Sequence, residues 1–415
     1  MQKIEASDRK TKNLTLEGLR GFSALLVFFW HVFPLETFSP GNKLISPTVA
    51  QILTTIFNGR VGVFFFFILS GYVMGKVYSF QKPFPLKNYL LKRWIRIYPM
   101  YAISVLFSAI LLPTSLWQVF GHLLFLNPNF VDTITANTVL WAVSYESGFY
   151  IFLTLIFAIP ILKNSKGITA LIICLLLNLF ICIFDLNRYG INSWIKGLSI
   201  WLLGLVLSWN TNESIQQHNS TIDTKNTWSF IILAIGMDSC INGVNAILKS
   251  IFPLITQELS DVTTLLTIPS VLLAFLSLIN IKVKRELSLA VFISTFTLIL
   301  SVILGTLIKG AFWNWPVYPT TLCLALIALG IRFIDLPKSW NLRHFAALGS
   351  ISYGVYIFHM PFMELVAKIP YLGGGWIEWF IRFILYCFLT ILTSYLLEIK
   401  LQPVLRNMVV IQVKK

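Results

Sequence analysis

Charge is what this chain of 415 residues has least of: only 12% of it is Asp, Glu, Lys or Arg, against about 25% in an ordinary soluble domain. Hydrophobic residues make up 56% and the mean hydropathy is +0.77, so a soluble globular protein is excluded. Acidic residues are especially scarce, 17 against 32 Lys and Arg, which gives a formal net charge of +15. The excess is not gathered into a basic domain. It is punctuated between apolar runs, which suits the positive-inside rule and argues against a nucleic-acid partner. Cysteine is sparse and scattered at Cys174, Cys182, Cys240, Cys323 and Cys387. No Cys-x-x-Cys pair or Cys/His cluster with zinc spacing occurs, so a disulfide framework and a zinc site are excluded and buried free thiols are expected. No repeat, Pro/Ser-rich linker or soluble domain interrupts the chain, and the longest polar stretch, 208–228, reads as a loop. No small-residue cleavage site follows the first apolar run, which is therefore expected to be retained.

What is there is a succession of apolar runs near the ~20 residues a spanning helix needs. They fall at 16–34, 59–78, 97–113, 144–162, 168–185, 193–209, 228–248, 263–281, 287–308, 316–334, 349–369 and 376–399. The run at 228–248 is weakened by Asp238, Asn242 and Asn245, and 116–126 is short enough to be interfacial or re-entrant. The expected fold is an all-α polytopic membrane protein, one bundle of 10–12 transmembrane helices. A segment 1–13 precedes a membrane domain at 14–406, and a tail at 407–415 follows. Lys3, Arg9, Lys10 and Lys12 precede the first run, and Lys76, Lys82, Lys87, Lys92, Arg93 and Arg96 follow the second. Between these runs stand only Lys43 and Arg60, so both chain termini are expected on the cytoplasmic side. Lys338, Lys414 and Lys415 fall on that side in the same count.

Arg20 and His31 stand eleven residues apart in RGFSALLVFFWH. On a helix that spacing is almost a whole number of turns, so both project from one face, roughly 16 Å apart at ~1.5 Å per residue. Ionisable groups at such depth mark a protein-lined or water-filled cavity by default, the plainer reading being a snorkelling Arg and a packed His. Arg93 and Arg96 in KRWIRIYPMY share a helix face, and two guanidinium forks suit phosphate, although positive-inside anchoring explains basic residues there equally well. Ser70-Gly71 in FFFFILSGYVM permits close approach of a helix or a ligand. Glu146 in WAVSYESGFY is expected at the external start of the fourth run, flanked by Trp141, Tyr145, Phe149 and Tyr150, where it orients a His or holds a hydroxyl. Tyr353, Tyr356 and His359 form a polar ridge in SYGVYIFHMP, lining a cavity or serving packing. His122 is a weaker candidate, and His218 and His344 read as loop residues.

Taken in order, RGFSALLVFFWH, FFFFILSGYVM, KRWIRIYPMY, WAVSYESGFY, SYGVYIFHMP and the ending SYLLEIKLQPVLR resemble the membrane-bound acyltransferase family 3, which includes O-acetyltransferases of bacterial surface polysaccharides. The resemblance spans about residue 14 to 406. It departs from some members, which append an extracytoplasmic hydrolase-like domain, and its central region holds more apolar runs than the usual ten-helix core. It implies an enzyme of a bacterial inner membrane that moves an acyl group, expected to be acetyl, from cytoplasmic acyl-CoA to a hydroxyl of a surface glycan or its lipid-linked precursor. No permanently bound cofactor or metal is implied. The resemblance implies functional roles for Arg20 with His31 and for Arg93 with Arg96, and with the reading of the residues above the expected catalytic residues are His31 and Glu146. Arg20, Arg93, Arg96 and Ser70 are expected to meet the donor, and Tyr150, Tyr353 and His359 the substrate. A neutral imidazole serves as base at neutral pH for the alcohol proton. Base-only catalysis and an acyl-histidine relay both remain open. A transporter of lipid-linked sugar, and an acyltransferase using succinyl or an amine or lipid acceptor, are the alternatives.

Overall fold

A computed structural model describes residues 13–33, 46–80, 83–183, 190–211, 223–251, 263–337, 339–370 and 375–413. Lys3, Arg9, Lys10, Lys12, Lys43, Lys82, His218, Lys338, Lys414 and Lys415 lie outside them, as do most of the polar loop and parts of both terminal segments. Within the described residues the chain is helical and contains no strand. In hydrocarbon no water satisfies backbone groups, so helices that pair every N–H internally are the available solution for apolar runs of this length. Among the described residues six helices are long and apolar enough to cross a membrane, seven if a bent pair counts as one span. The protein is thus a multi-pass, all-α membrane protein.

The elements that frame the site are α1 (Leu14–Val32), α2 (Pro47–Ile56), α3 (Gly59–Val77), α4 (Leu86–Leu111), α5 (Leu116–Leu123) and α6 (Leu140–Ala158). Two helices at Pro160–Asn164 and Ile168–Ile183 (α7, α8) lead to α9 (Ile191–Asn210), and α10 (Thr224–Ser239) and α11 (Ile241–Ile251) follow. Then come α12 (Ile268–Leu278), α13 (Arg285–Ile308), α14 (Val317–Ile331), the single turn α15 (Ala346–Gly349) and α16 (Ser352–Ala367). The last elements, α17 (Gly375–Tyr395) and α18 (Gln402–Val413), are joined by a π turn at Leu396–Leu401. Every apolar run read from the sequence coincides with a helix, the run at 228–248 as the pair α10 and α11, bent by 50°. The third begins earlier than expected, at Leu86, so Arg93 and Arg96 are inside α4 rather than ahead of it.

α3 packs along α9 through paired small residues. A Cβ on Gly71 would stand 1.9 Å from the Trp201 carbonyl oxygen, and one on Gly204 1.9 Å from that of Ile68. Small residues allow two backbones to come this close where lipid offers no hydrophobic drive to association. α1 and α3 run antiparallel: Gly62 faces Ser23 and Leu26, and Gly59 faces the Trp30 ring. Trp30 and His31 are therefore level with the start of α3, and Arg20 is level with Ser70. We call the end carrying Lys92, Arg93, Arg96 and Arg406 the basic end and the other the far end.

α6 starts in the middle of the bundle, not at a surface. The carbonyl of Val139, its N-cap residue, accepts from the Tyr356 hydroxyl at 3.1 Å. The chain from Leu116 to Asn137 dips inward as α5, irregular backbone and a single 3-10 turn, which is the re-entrant alternative for 116–126. Pro361 explains why it docks there. Proline has no N–H, so the carbonyl four residues earlier, that of Ile357, loses its helical donor. Asn137 Nδ2 at 2.9 Å and Ser104 Oγ at 2.8 Å replace it, and irregular backbone at such depth is tolerated where protein satisfies it.

Candidate functional site

A cavity of about 1140 Å³ opens among α1, α3, α4, α6, α16 and the π turn. Arg20, Ser70, Arg93, Arg96, Glu146, Tyr150 and Tyr353, seven of the nine residues expected to act, line it together. Their convergence follows from helical spacing. Arg93 and Arg96 are one turn apart on α4, and Glu146 and Tyr150 one turn apart on α6. Toward the far end the lining turns apolar, with Val63, Phe66, Phe67, Ala142 and Val143, and reaches Tyr356.

The carboxylates here are answered. Glu146 Oε1 accepts from Ser70 Oγ at 2.5 Å and from the Tyr150 hydroxyl at 2.6 Å, while Trp201 Nε1 donates to Ser70 Oγ at 3.3 Å. Glu17 holds Arg20 through Nη1 at 2.7 Å. Glu398, in the π turn, accepts from the Gly354 backbone N–H at 2.6 Å, satisfying an orphan donor in the first turn of α16. The Gln402 amide, one turn on, donates to the Arg96 carbonyl at 2.8 Å. The cations are less fully answered. Arg93 lies 5.6 Å from the centre of the Tyr150 ring, yet its Nε and Nη1 are buried and make no hydrogen bond among the described residues. Donors left open in this way are the expected signature of a place for an anion.

The expectation that Glu146 faces the side opposite the arginines does not hold. α6 begins inside the bundle, so Glu146 shares the arginines' cavity and engages no histidine among the described residues. A re-entrant connection and an ordinary surface loop read alike in sequence, which is the source of the error. Gly71 serves helix packing, and Ser70 hydrogen-bonds Glu146 at the cavity wall. Tyr353 lines the wall and donates to the Ile97 carbonyl at 3.0 Å.

His31 and His359 are not part of the cavity lining. They meet beyond its apolar end, ring centres 5.2 Å apart, with Tyr356 at 6.2 Å from His359. His359 Nδ1 lies 2.8 Å from the Tyr356 carbonyl and 3.2 Å from that of Val355. Carbonyls only accept, so Nδ1 carries the proton and Nε2 keeps a lone pair. That Nε2 is buried without a partner among the described residues. Arg20 and His31 thus divide between two places, the donor-rich cavity and the histidine pair, about 16 Å apart along α1 at ~1.5 Å per residue. His122 has a structural task, its two ring nitrogens engaged by the Gln118 carbonyl and the Ile134 N–H, and His344 meets the Ser339 carbonyl. Glu398 was quoted in a motif but given no role. The last apolar run holds Glu378, Arg382 and Glu398, and ionisable groups within such a run were the signal available for it.

A family model described as an acyltransferase domain matches residues 13–399. No curated protein and no solved structure matches the chain.

Proposed function

Because the chain belongs to the membrane acyltransferase family 3, whose domain covers nearly all of it, we propose that it moves an acyl group, acetyl in the first instance, from cytoplasmic acyl-CoA to a hydroxyl of a surface glycan or its lipid-linked precursor in a bacterial inner membrane. The observation that carries this reading is the half-buried Arg93, whose buried Nε and Nη1 have no partner among the described residues, in a cavity that Arg20 and Arg96 also line. Three guanidiniums match the phosphates of a CoA. Their fork geometry gives paired contacts that a Lys, as a point charge, does not.

The long arm of such a donor has a path. Val63, Phe66, Phe67 and Val143 offer an apolar wall from the arginines toward Tyr356, and the histidine pair stands just beyond. At that end His31 takes the proton of the incoming hydroxyl. The hydroxyl oxygen bonds to the thioester carbonyl carbon, the carbon–sulfur bond breaks, and CoA leaves as the thiolate to be protonated on release. We assign proton removal to His31 because it is half-buried at the end of α1, whereas His359 is fully enclosed. His359, its tautomer fixed by backbone carbonyls, holds the His31 ring in place by packing, ring centres 5.2 Å apart. Glu146 positions Tyr150 and, through it, Arg93, which moves its role from the acceptor to the donor.

The test is glycan analysis of a deletion strain against wild type, with the acyl mass and the sugar position assigned. Acyl mass lost on deletion and restored by the wild-type gene supports the reading. Unchanged acylation refutes it.

A further inference from the structure

Outside the cavity, a second polar cluster sits at the far end beside His31. Asp238, in the last turn of α10, is 4% exposed. Its Oδ2 accepts from Asn58 Nδ2 at 2.8 Å and meets Arg60 Nε at 3.5 Å. Its Oδ1 is buried and unpartnered among the described residues. Asn58 also caps α3, its Oδ1 accepting from the Val61 N–H at 3.0 Å. The turn that carries Asn58 and Arg60 lies against Trp30, because a Cβ on Gly59 would stand 3.2 Å from that ring. Trp30 in turn packs edge-on to His31 at 4.7 Å and is 42% exposed. The Arg60 side chain is half exposed.

We infer that Trp30, Arg60 and Asp238 form the acceptor subsite and hold a sugar ring next to the histidine pair. The inference rests on the glycan-acylation reading above. Three features favour a sugar. A guanidinium and a carboxylate side by side offer a donor and an acceptor, the complement of neighbouring hydroxyls, which both give and take hydrogen bonds. An exposed indole offers a flat apolar surface for the C–H face of a pyranose. The cluster also lies where α10 breaks into α11, and broken helices in membrane proteins expose backbone and side chains where a polar ligand binds. A carboxylate this deep in an apolar bundle is costly and marks a functional group by default. A plain structural pin between α3 and α10 would explain the ion pair but not the open oxygen or the indole between it and His31.

The full-length protein in nanodiscs, with acetyl-CoA and the surface polysaccharide isolated from a deletion strain, separates these possibilities. Arg60→Ala should raise the KM for polysaccharide at least about tenfold, the cost of one charge-assisted contact, Trp30→Ala should raise it through the lost stacking face, and each should change the KM for acetyl-CoA less than about twofold. Arg60→Lys and Trp30→Phe should fall between, and they replace the alanine variants if those fail to insert. An unchanged polysaccharide KM overturns the subsite, as does a parallel rise in both KM values with a lowered Tm, which marks a pin. Enzymatically dephosphorylated polysaccharide should serve equally well. Loss of Arg60 dependence on that substrate would make the residue a phosphate contact and overturn the sugar-ring assignment. Wild-type protein that transfers nothing to the polysaccharide refutes the acylation reading beneath, and the subsite with it.

Discussion

The arginine cavity and the surroundings of His31 leave different kinds of polar group unmet among the described residues. In the cavity the carboxylates of Glu17, Glu146 and Glu398 all have donors, while Nε and Nη1 of Arg93 have no acceptor among the described residues. Beside His31 the polar atoms without a partner among the described residues include two lone pairs, on His359 Nε2 and Asp238 Oδ1, while the open Arg382 Nε lies further along, where its guanidinium caps the end of α16. A buried donor without an acceptor is costly, and so is a buried acceptor without a donor. Under the proposed function the open donors suit the phosphates of the acyl donor and the open lone pairs suit an alcohol, with the apolar wall between them.

The largest effect should come from the far end. His31→Ala should reduce transfer by about 10² to 10⁴, the usual loss with a general base, while donor binding persists because His31 lies outside the cavity. His359→Ala should follow it closely. Transfer at wild-type rates by a well-inserted His31→Ala variant would end the assignment, and loss of acetyl-CoA binding in that variant would erase the distinction between the two ends.

The arginines should fail in the complementary way. Arg93→Ala and Arg96→Ala should each weaken CoA binding more than tenfold, at roughly 1.5–3 kcal/mol per lost charge-assisted contact, and leave acceptor preference alone. Lys at either position should rescue only part, since it keeps the charge and loses the fork. Isothermal titration with CoA reads this directly, and wild-type affinity in the alanine variants would reduce both residues to topological anchors.

Much of this division could be seen before any coordinates. A run of about twenty apolar residues has one low-energy form in a membrane, so each run became a helix. Helical spacing alone brought Arg93 to Arg96 and Tyr356 to His359. Connections were the illegible part. Nothing in the residues around Val139 distinguishes a helix that starts at the surface from one that starts beside Tyr356, and Glu146 was misplaced for that reason. Pro361 was visible, but the partner of the carbonyl it frees, Asn137, lies 220 positions away in sequence. Glu398 meets Gly354 only because a π turn rotates it inward, and no local pattern announces that turn.

Glu146→Gln is expected to blunt the donor end more gently than loss of an arginine. The amide keeps the size and can still accept from Ser70 and Tyr150, but it removes the negative charge that complements the neighbouring guanidiniums. CoA affinity should therefore shift by less than about tenfold, with the acceptor KM unchanged. A change confined to the acceptor KM would return Glu146 to the acceptor side and dissolve the contrast between the ends.

The smallest effect tests what joins them. α16 carries Tyr356 at the cavity and His359 at the far end, and between them the Ile357 carbonyl depends on Asn137 and Ser104 because Pro361 donates nothing. Asn137→Ala leaves Ser104 as the remaining donor, so the loss should be about 1 kcal/mol rather than the full cost of an orphaned carbonyl. Pro361→Ala restores an N–H four residues after Ile357, and in that background Asn137→Ala should cost measurably less. The two substitutions are coupled through a single oxygen atom, so a double-mutant cycle on the detergent-solubilised protein isolates the coupling. Strict additivity of the Tm shifts would mean that Asn137 holds the re-entrant segment by other contacts, and that the proline break is not what positions His359 over the end of the cavity.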